Sequence, residues 1–200
     1  MQEGDFGVAY GDERCLTGKT GVLGVIGDPI AHSLSPAMQN AALEALALDY
    51  IYVPFHVSPL HVKEAIAGMK ALGLRGLNVT IPHKVAVIDC IDEIEPVAGL
   101  IGAVNTISNE DGYLVGYNTD ACGFLRSLKE EAGREPQGQR ITIVGAGGSA
   151  RAIGFQMAVS EVERLVIANR TRSSALALAE EIGDKTRCST VGIGLDELDS

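Results

Sequence analysis

The sequence predicts an α/β protein in which short parallel strands alternate with crossover helices, arranged as two successive units. Three observations carry that expectation. From Gly21 onward, apolar runs suited to strands alternate with segments of helical periodicity. The run Ile141-Thr142-Ile143-Val144 passes into Gly145-Ala146-Gly147-Gly148-Ser149-Ala150-Arg151 and then an apolar-periodic helix, a strand-turn-helix pattern. Between the two units, Gly133-Arg134-Glu135-Pro136-Gln137-Gly138-Gln139 is polar and rich in glycine and proline, as links between domains are.

Taken in order, residues 21–26 read as an apolar strand. Ser35-Pro36 then starts a helix to about Leu48, with Ser35 as N-cap and Pro36 at the first helical position. Residues 50–55 form a second strand, and Ser58-Pro59 caps a helix whose Leu60, Ala65, Ile66, Met69 and Leu72 share one face. A third strand over 75–81 ends at Pro82, and a helix is expected over roughly 84–101. Segments 103–108 and 113–117 flank Asn109-Glu110-Asp111-Gly112 and read as a β-hairpin. A helix over about 120–132 leads into the link. Beyond it lie a strand (141–144), a helix (about 148–159), a strand (164–168), a helix (about 173–183) and a third strand near 187–192. The expected division is a first domain over 1–132, with 1–20 as an N-terminal extension, a linker over 133–139 and a partial second domain over 140–200.

The glycine-rich turn has a chemical meaning. Glycines let the backbone turn tightly and approach a pyrophosphate, whose charge is met by free N–H groups at the positive end of the helix. Gly145, Ala146, Gly147, Gly148, Ser149 and Ala150 therefore make a candidate dinucleotide cradle, with Ala150 allowed at the third motif position because it only has to let helix and strand pack closely. About twenty residues on, the strand ends in Asn169-Arg170-Thr171-Arg172. A carboxylate there would suit the ribose 2′-hydroxyl of NAD, whereas guanidinium and hydroxyl donors suit the 2′-phosphate of NADP. No carboxylate stands at this strand end, so the site reads as one for NADP.

Composition bounds the remaining classes. The chain has 200 residues, 46% hydrophobic and 21% charged, which is enough apolar mass for a real core. A net charge of −10 without a basic run opposes nucleic acid and anionic membrane and favours a small-molecule ligand held by local cations and helix ends. Cys15, Cys90, Cys122 and Cys188 are scattered and form no metal-ligand pattern, so neither a metal site nor a disulfide framework is expected. His32, His56 and His61 have no companions at ligand spacing, and His83 reads as structural. Without a basic-then-apolar leader or a run long enough to cross a bilayer, a cytoplasmic monomer or homodimer is expected.

Polar segments recur where strands end, the edge at which open α/β sheets collect ligands. The blocks GDPIAHSLSP, NVTIPHK, GAVNT, GYNTDA, GAGGSARA and NRT, in this order and spacing over roughly residues 20–175, resemble the shikimate dehydrogenase family. The resemblance implies an N-terminal substrate-binding domain followed by a Rossmann-like NADP-binding domain, and NADP-dependent reversible reduction of 3-dehydroshikimate to shikimate in aromatic amino acid biosynthesis. It implies that Ser33 and Ser35 bind the substrate carboxylate, that Asn78, Thr80, Asn105 and Asp120 bind ring hydroxyls, and that Lys84, with Asp120 as its acidic partner, is catalytic. The residue types suit that chemistry: a helix start favours an anion, amides and hydroxyls discriminate a polyol, and an ammonium can steady and protonate a developing oxyanion.

Two departures from the family pattern stand out. Ser174 occupies the place of a second basic residue after Asn169-Arg170-Thr171, with Arg172 directly following the threonine. Only one βαβαβ set follows Arg140, where a complete dinucleotide fold has two, so the 200-residue chain is expected to be a truncated form, inactive as it stands. The alternatives are a quinate/shikimate dehydrogenase of broader specificity and a non-catalytic shikimate-binding module.

Overall fold

The computed structural model describes Ala9–Tyr10 and residues 14–198. Ala9–Tyr10 (β1) and Arg14–Cys15 (β2) pair antiparallel; residues 1–8 and 11–13 of the expected N-terminal extension lie outside the described residues.

The first unit is built on a six-stranded sheet. Gly21–Gly27 (β3) runs parallel between Tyr50–His56 (β4) and Gly76–Val79 (β5), with Val25 level with Pro54 and Asn78. The sheet then turns mixed: Thr106–Glu110 (β7) lies antiparallel to β5, Tyr113–Tyr117 (β8) antiparallel to β7, and the short Glu93–Ile94 (β6) parallel to β8 at the edge. In the order β4-β3-β5-β7-β8-β6 the three expected parallel strands lie together and the expected hairpin extends the sheet, with β7 antiparallel to both of its neighbours. Its turn is the two residues Asp111-Gly112, both at positive φ (54° and 96°), so β7 continues through Glu110 instead of turning at Asn109. Such a pair of left-handed residues matches the twist of the flanking strands.

Helices Ser35–Ala45 (α1) and Val62–Ala71 (α2) make the crossovers. On α2 the core-facing set is Val62, Ile66 and Met69, packed with Ile26, Leu77 and Val79. Leu60 and Leu72 are 86% and 80% exposed, contrary to the expected face, since Leu60 sits in a 3₁₀ turn before the helix and Leu72 past its end. The helix expected over 84–101 is broken. Helical turns run from His83, with Val87 N donating to the His83 carbonyl, but Asp92 N and Glu95 N donate to the Leu114 and Gly116 carbonyls, which draws the chain into the sheet. Pro96 holds Glu95 extended (φ −59°, ψ 143°), and a new helix, Pro96–Ile101 (α3), starts there.

Thr119–Ala132 (α4) ends at the left-handed Gly133 and leads to the second unit. Arg140–Val144 (β9), Gly148–Val159 (α5), Arg164–Asn169 (β10), Arg172–Thr186 (α6) and Thr190–Gly194 (β11) form a parallel sheet of order β11-β10-β9 with Leu165 level with Ile141 and Thr190. One βαβαβ set of a doubly wound nucleotide-binding fold has this order. Its core of Phe155, Leu165, Ile167, Leu178 and Ile182 also takes in Ile101, Ala103 and Ala121 from the first unit. None of the described helices is long and apolar enough to cross a membrane.

Within the second unit, Arg151 of α5 grips Glu181 of α6 through both terminal guanidinium nitrogens, Nη1 at 2.7 Å from Oε2, and Lys185 Nζ adds a bond of 2.8 Å to Oε1. The Arg151 hydrogen bonds, reinforced by Lys185 against the opposing effect of burial, hold the Glu181 carboxyl at about 2 instead of 4.5. A depressed acid contributes stability above its unfolded value and loses it as pH falls through the folded one. Urea midpoints should therefore show Glu181→Gln less stable than wild type near neutral pH. The gap should close as pH is lowered from about 4.5 toward about 2.

Candidate active site

The polar ends of the first sheet's strands converge where the two units meet. Ser33 and Ser35 follow β3 through the loop that begins at Asp28-Pro29. Ser35 is the first helical residue and Leu34 the N-cap, so the helix starts one residue earlier than expected. The reason is local: Ser33 Oγ accepts from Ser35 N at 3.3 Å, so Ser33 supplies the first orphan donor of the helix with a partner. Ser33, which as a sequence feature had no capping role, has one in the structure.

A continuous hydrogen-bonded row crosses the sheet ends. Tyr52 OH donates to Asn78 Oδ1 at 2.7 Å, Asn78 Nδ2 donates to Thr106 Oγ1 at 3.1 Å, and Thr106 Oγ1 donates to Asn105 Oδ1 at 3.0 Å. Asn105 Nδ2 then donates to Asp120 Oδ1 at 2.8 Å and to Thr119 Oγ1 at 3.0 Å. Burial pushes the Tyr52 phenol up to about 12, so it stays a proton donor and fixes which end of the Asn78 amide faces it. Both Asn105 amide hydrogens are engaged within the protein. Thr80 is anchored by its backbone, its N–H donating to the Ile26 carbonyl at 3.0 Å.

Lys84 terminates the row. It is 8% exposed, and its Nζ donates to Asp120 Oδ2. Asp120 lies in the first turn of α4, where the helix dipole favours a carboxylate. Asn118 caps that helix, its Oδ1 accepting from Asp120 N at 3.1 Å while its Nδ2 donates to the Ala103 carbonyl at 2.9 Å. The Lys84 carbonyl in turn accepts from Val104 N at 2.7 Å, so lysine and aspartate are held by main-chain bonds on both sides. His83 is buried beside it and bonds the Val57 carbonyl through Nε2 at 2.6 Å, a structural tie as expected. His56 lies 2.7 Å from Asp28 Oδ1 at the exposed rim, an ordinary polar contact.

Across from Lys84 is the glycine turn. A cleft of about 270 Å³ is lined by Ile81, Pro82, Lys84 and Val85 on one side and by Gly147 and Gly148 on the other. A Cβ on Gly148 would stand 3.2 Å from Lys84 Cδ, and one on Gly147 would enter open space. Gly147 is the N-cap of α5 and supplies no side-chain bond to the first turn, so the leading N–H groups of that helix face outward. Gly145 (φ 125°), Ala146, Ser149 and Ala150 complete this turn. At the end of β10, Asn169 Nδ2 donates to the Thr171 carbonyl at 3.1 Å, and Thr171 is the N-cap of α6. Arg170 is exposed, whereas Arg172 Nε is paired with Glu197 Oε1 at 2.7 Å.

Tyr52 belongs to this row and escaped the sequence reading, whereas Thr106, Asn118 and Thr119 lie in the polar segments expected at strand ends but carried no individual role. Tyr52 alternates along a strand like any core residue, and its partner Asn78 is 26 positions away. Asn118 carried a further signal, since an Asn before a helical run is a capping pattern.

Known proteins resemble this chain in sequence and in fold. Residues 25–107 match the family model of the shikimate dehydrogenase substrate binding domain, and residues 127–199 that of shikimate / quinate 5-dehydrogenase. The shikimate dehydrogenase (NADP(+)) of Geobacter metallireducens is 55% identical over 165 residues, 82% of this chain, and the chain spans 58% of that relative's length. Shikimate 5-dehydrogenase from Listeria monocytogenes, solved with shikimate and NAD, superposes with a TM-score of 0.84 at 41% identity, covering 92% of this chain and 65% of that one. A shikimate dehydrogenase solved in complex with NADP+ superposes with a TM-score of 0.85 at 46% identity, covering 98% of this chain and 67% of the other. On this likeness of both sequence and fold, the chain belongs to the shikimate dehydrogenase family.

Proposed function

We propose that this chain carries the substrate site and the nucleotide cradle of an NADP-dependent shikimate dehydrogenase, which interconverts 3-dehydroshikimate and shikimate in the cytoplasm as a step of aromatic amino acid biosynthesis. We take residues 1–132 as the substrate lobe, 133–139 as the link and 140–200 as the nucleotide lobe. The observation that carries the reading is the Lys84–Asp120 pair standing against Gly147 and Gly148 across one cleft.

The residues fit the cofactor. The outward N–H groups of α5 suit a pyrophosphate, open space in front of Gly147 admits it, and the acid-free end of β10 with Arg170 suits a 2′-phosphate. When bound, NADPH supplies the hydride that reduces the carbonyl carbon. The protein's own part is to hold the ring and deliver a proton. Ser33 and Ser35, at a helix start, receive the substrate carboxylate. Asn78 and Thr80 at the end of β5, with Asn105 and Asp120, read the ring hydroxyls. Lys84 Nζ, held by Asp120, steadies the negative charge that grows on the carbonyl oxygen and gives it a proton; in the oxidation direction Lys84 takes the hydroxyl proton as the hydride leaves.

Isothermal titration tests the reading directly: saturable binding of both shikimate and NADP+ supports it, and heat from neither contradicts it. In the full-length protein, Lys84→Ala should lower kcat by about 10²–10⁴-fold while the shikimate dissociation constant stays within about tenfold. A variant that binds weakly yet turns over normally would make Lys84 a binding residue. Arg170→Ala should weaken NADP+ by about 1.5–3 kcal/mol, the range of a hydrogen bond to a charged group, and leave NAD+ nearly unchanged. Arg172→Ala should cost much less, since Glu197 already occupies that guanidinium. Equal losses for the two arginines would show that Arg172 leaves Glu197 when NADP+ binds.

A further inference from the structure

A cluster of polar links between the two units lies outside the Lys84 row. Arg151 leaves α5 four residues after Gly147, and its Nε donates to the Ile101 carbonyl at the end of α3 while its other nitrogens hold Glu181. Lys185 Nζ, bound to the same carboxylate, lies 3.5 Å from the Leu100 carbonyl. Both cations sit over the Phe155 ring, 5.4 and 5.6 Å from its centroid. The last carbonyls of a helix have no partner within it and carry the negative end of its dipole. Two such carbonyls of α3 are met here by cations of the other unit.

The chain around this contact is shaped for it. Gly102 has φ +67°, a left-handed conformation that favours glycine, and a Cβ there would fall 2.9 Å from Arg151 Nη2 and displace the guanidinium. From Ile101 the chain runs through Gly102 and Ala103 to Val104, bonded to the Lys84 carbonyl, and to Asn105, bonded to Asp120. From Arg151 it runs back one helical turn to Gly147 and Gly148. The contact is therefore joined by two short, rigid paths to the two walls of the cleft. Ile101, Ala103 and Ala121 of the first unit enter the second unit's core cluster, and the partly buried Leu100, Leu125 and Leu128 pack against it; interfaces between domains permit relative motion unless they are large and hydrophobic or directional bonds fix them.

We propose that Arg151, oriented by Glu181, is a positioning residue that sets the closure of the cleft, seating the Gly147–Gly148 turn against Lys84 and so coupling nucleotide binding to substrate binding. The coupling rests on the function proposed above; the effect on cleft geometry does not. The test places spin labels at exposed Lys63 on α2 and Glu180 on α6, in the protein with its cysteines replaced. The distance across the cleft is then measured by electron-electron double resonance. Wild type should give one narrow distribution. Arg151→Lys and Glu181→Gln, shown folded by circular dichroism, should each broaden it about twofold, as freed domains would. Shikimate titrations with and without NADP+ should show an affinity gain of about fivefold or more in wild type that disappears in both variants. Wild-type widths in both folded variants would overturn the proposal, and should Arg151→Lys fail to fold, Glu181→Gln alone decides. If wild type binds neither ligand, the functional reading falls while the distance widths still judge the positioning role.

Discussion

A buried ammonium is tolerated only where a carboxylate and well-placed hydrogen bonds replace its hydration shell. Lys84 is nearly enclosed, and the surrounding structure is organised to meet that demand. Removing one partner of a fully buried pair costs about 3–5 kcal/mol because it strands the other charge; Asp120 is 27% exposed, so the cost here lies toward the lower end. Asp120 is in turn fixed by Asn105 and by the Asn118 cap of α4, and Asn105 by Thr106, Thr119 and Tyr117. The charge pair thus sets requirements that extend over β7, β8 and the start of α4.

The same demand explains why the site sits at the boundary of the two units. Lys84 follows β5 in a turn, and its stem is covered by the Gly148 backbone of the nucleotide-type unit, where a side chain would crowd it. The ammonium is dry enough to matter electrostatically yet opens onto a cleft whose far wall is an uncapped helix start. A site of this kind can hold an anionic group on one side and a proton donor on the other. Its geometry depends on how the two units are seated, and the Arg151 contact at the end of α3 fixes that seating through groups that touch neither ligand wall.

Much of this was legible in the sequence. The strands expected at 21–26, 50–55 and 164–168, each one residue longer in the structure, and the helix from Gly148 announce themselves through apolar runs, prolines and glycines, which act locally. The motif residues Lys84, Asn105 and Asp120 could be named one by one, and the structure brings them into one hydrogen-bonded row. What the sequence hid is nonlocal. The break in the 84–101 helix comes from bonds to Leu114 and Gly116 across the sheet, and the partner of Arg172 is Glu197, 25 positions away. Leu60 and Leu72 fit a helical stripe by spacing alone, but the helix is shorter than the stripe. Tyr52 looked like core and is the far anchor of the polar row.

The central claim is that the Lys84–Asp120 pair, facing the glycine turn, is where the chemistry happens. A crystal structure of the full-length protein with shikimate and NADP+ addresses it most directly. It should show one ring hydroxyl within about 3 Å of both Lys84 Nζ and an Asp120 carboxylate oxygen, the ordinary hydrogen-bond range, with the pyrophosphate at the start of α5 and the nicotinamide ring against that hydroxyl's carbon. Shikimate bound with no hydroxyl in reach of Lys84, or a nucleotide lying away from Gly147 and Gly148, would contradict it.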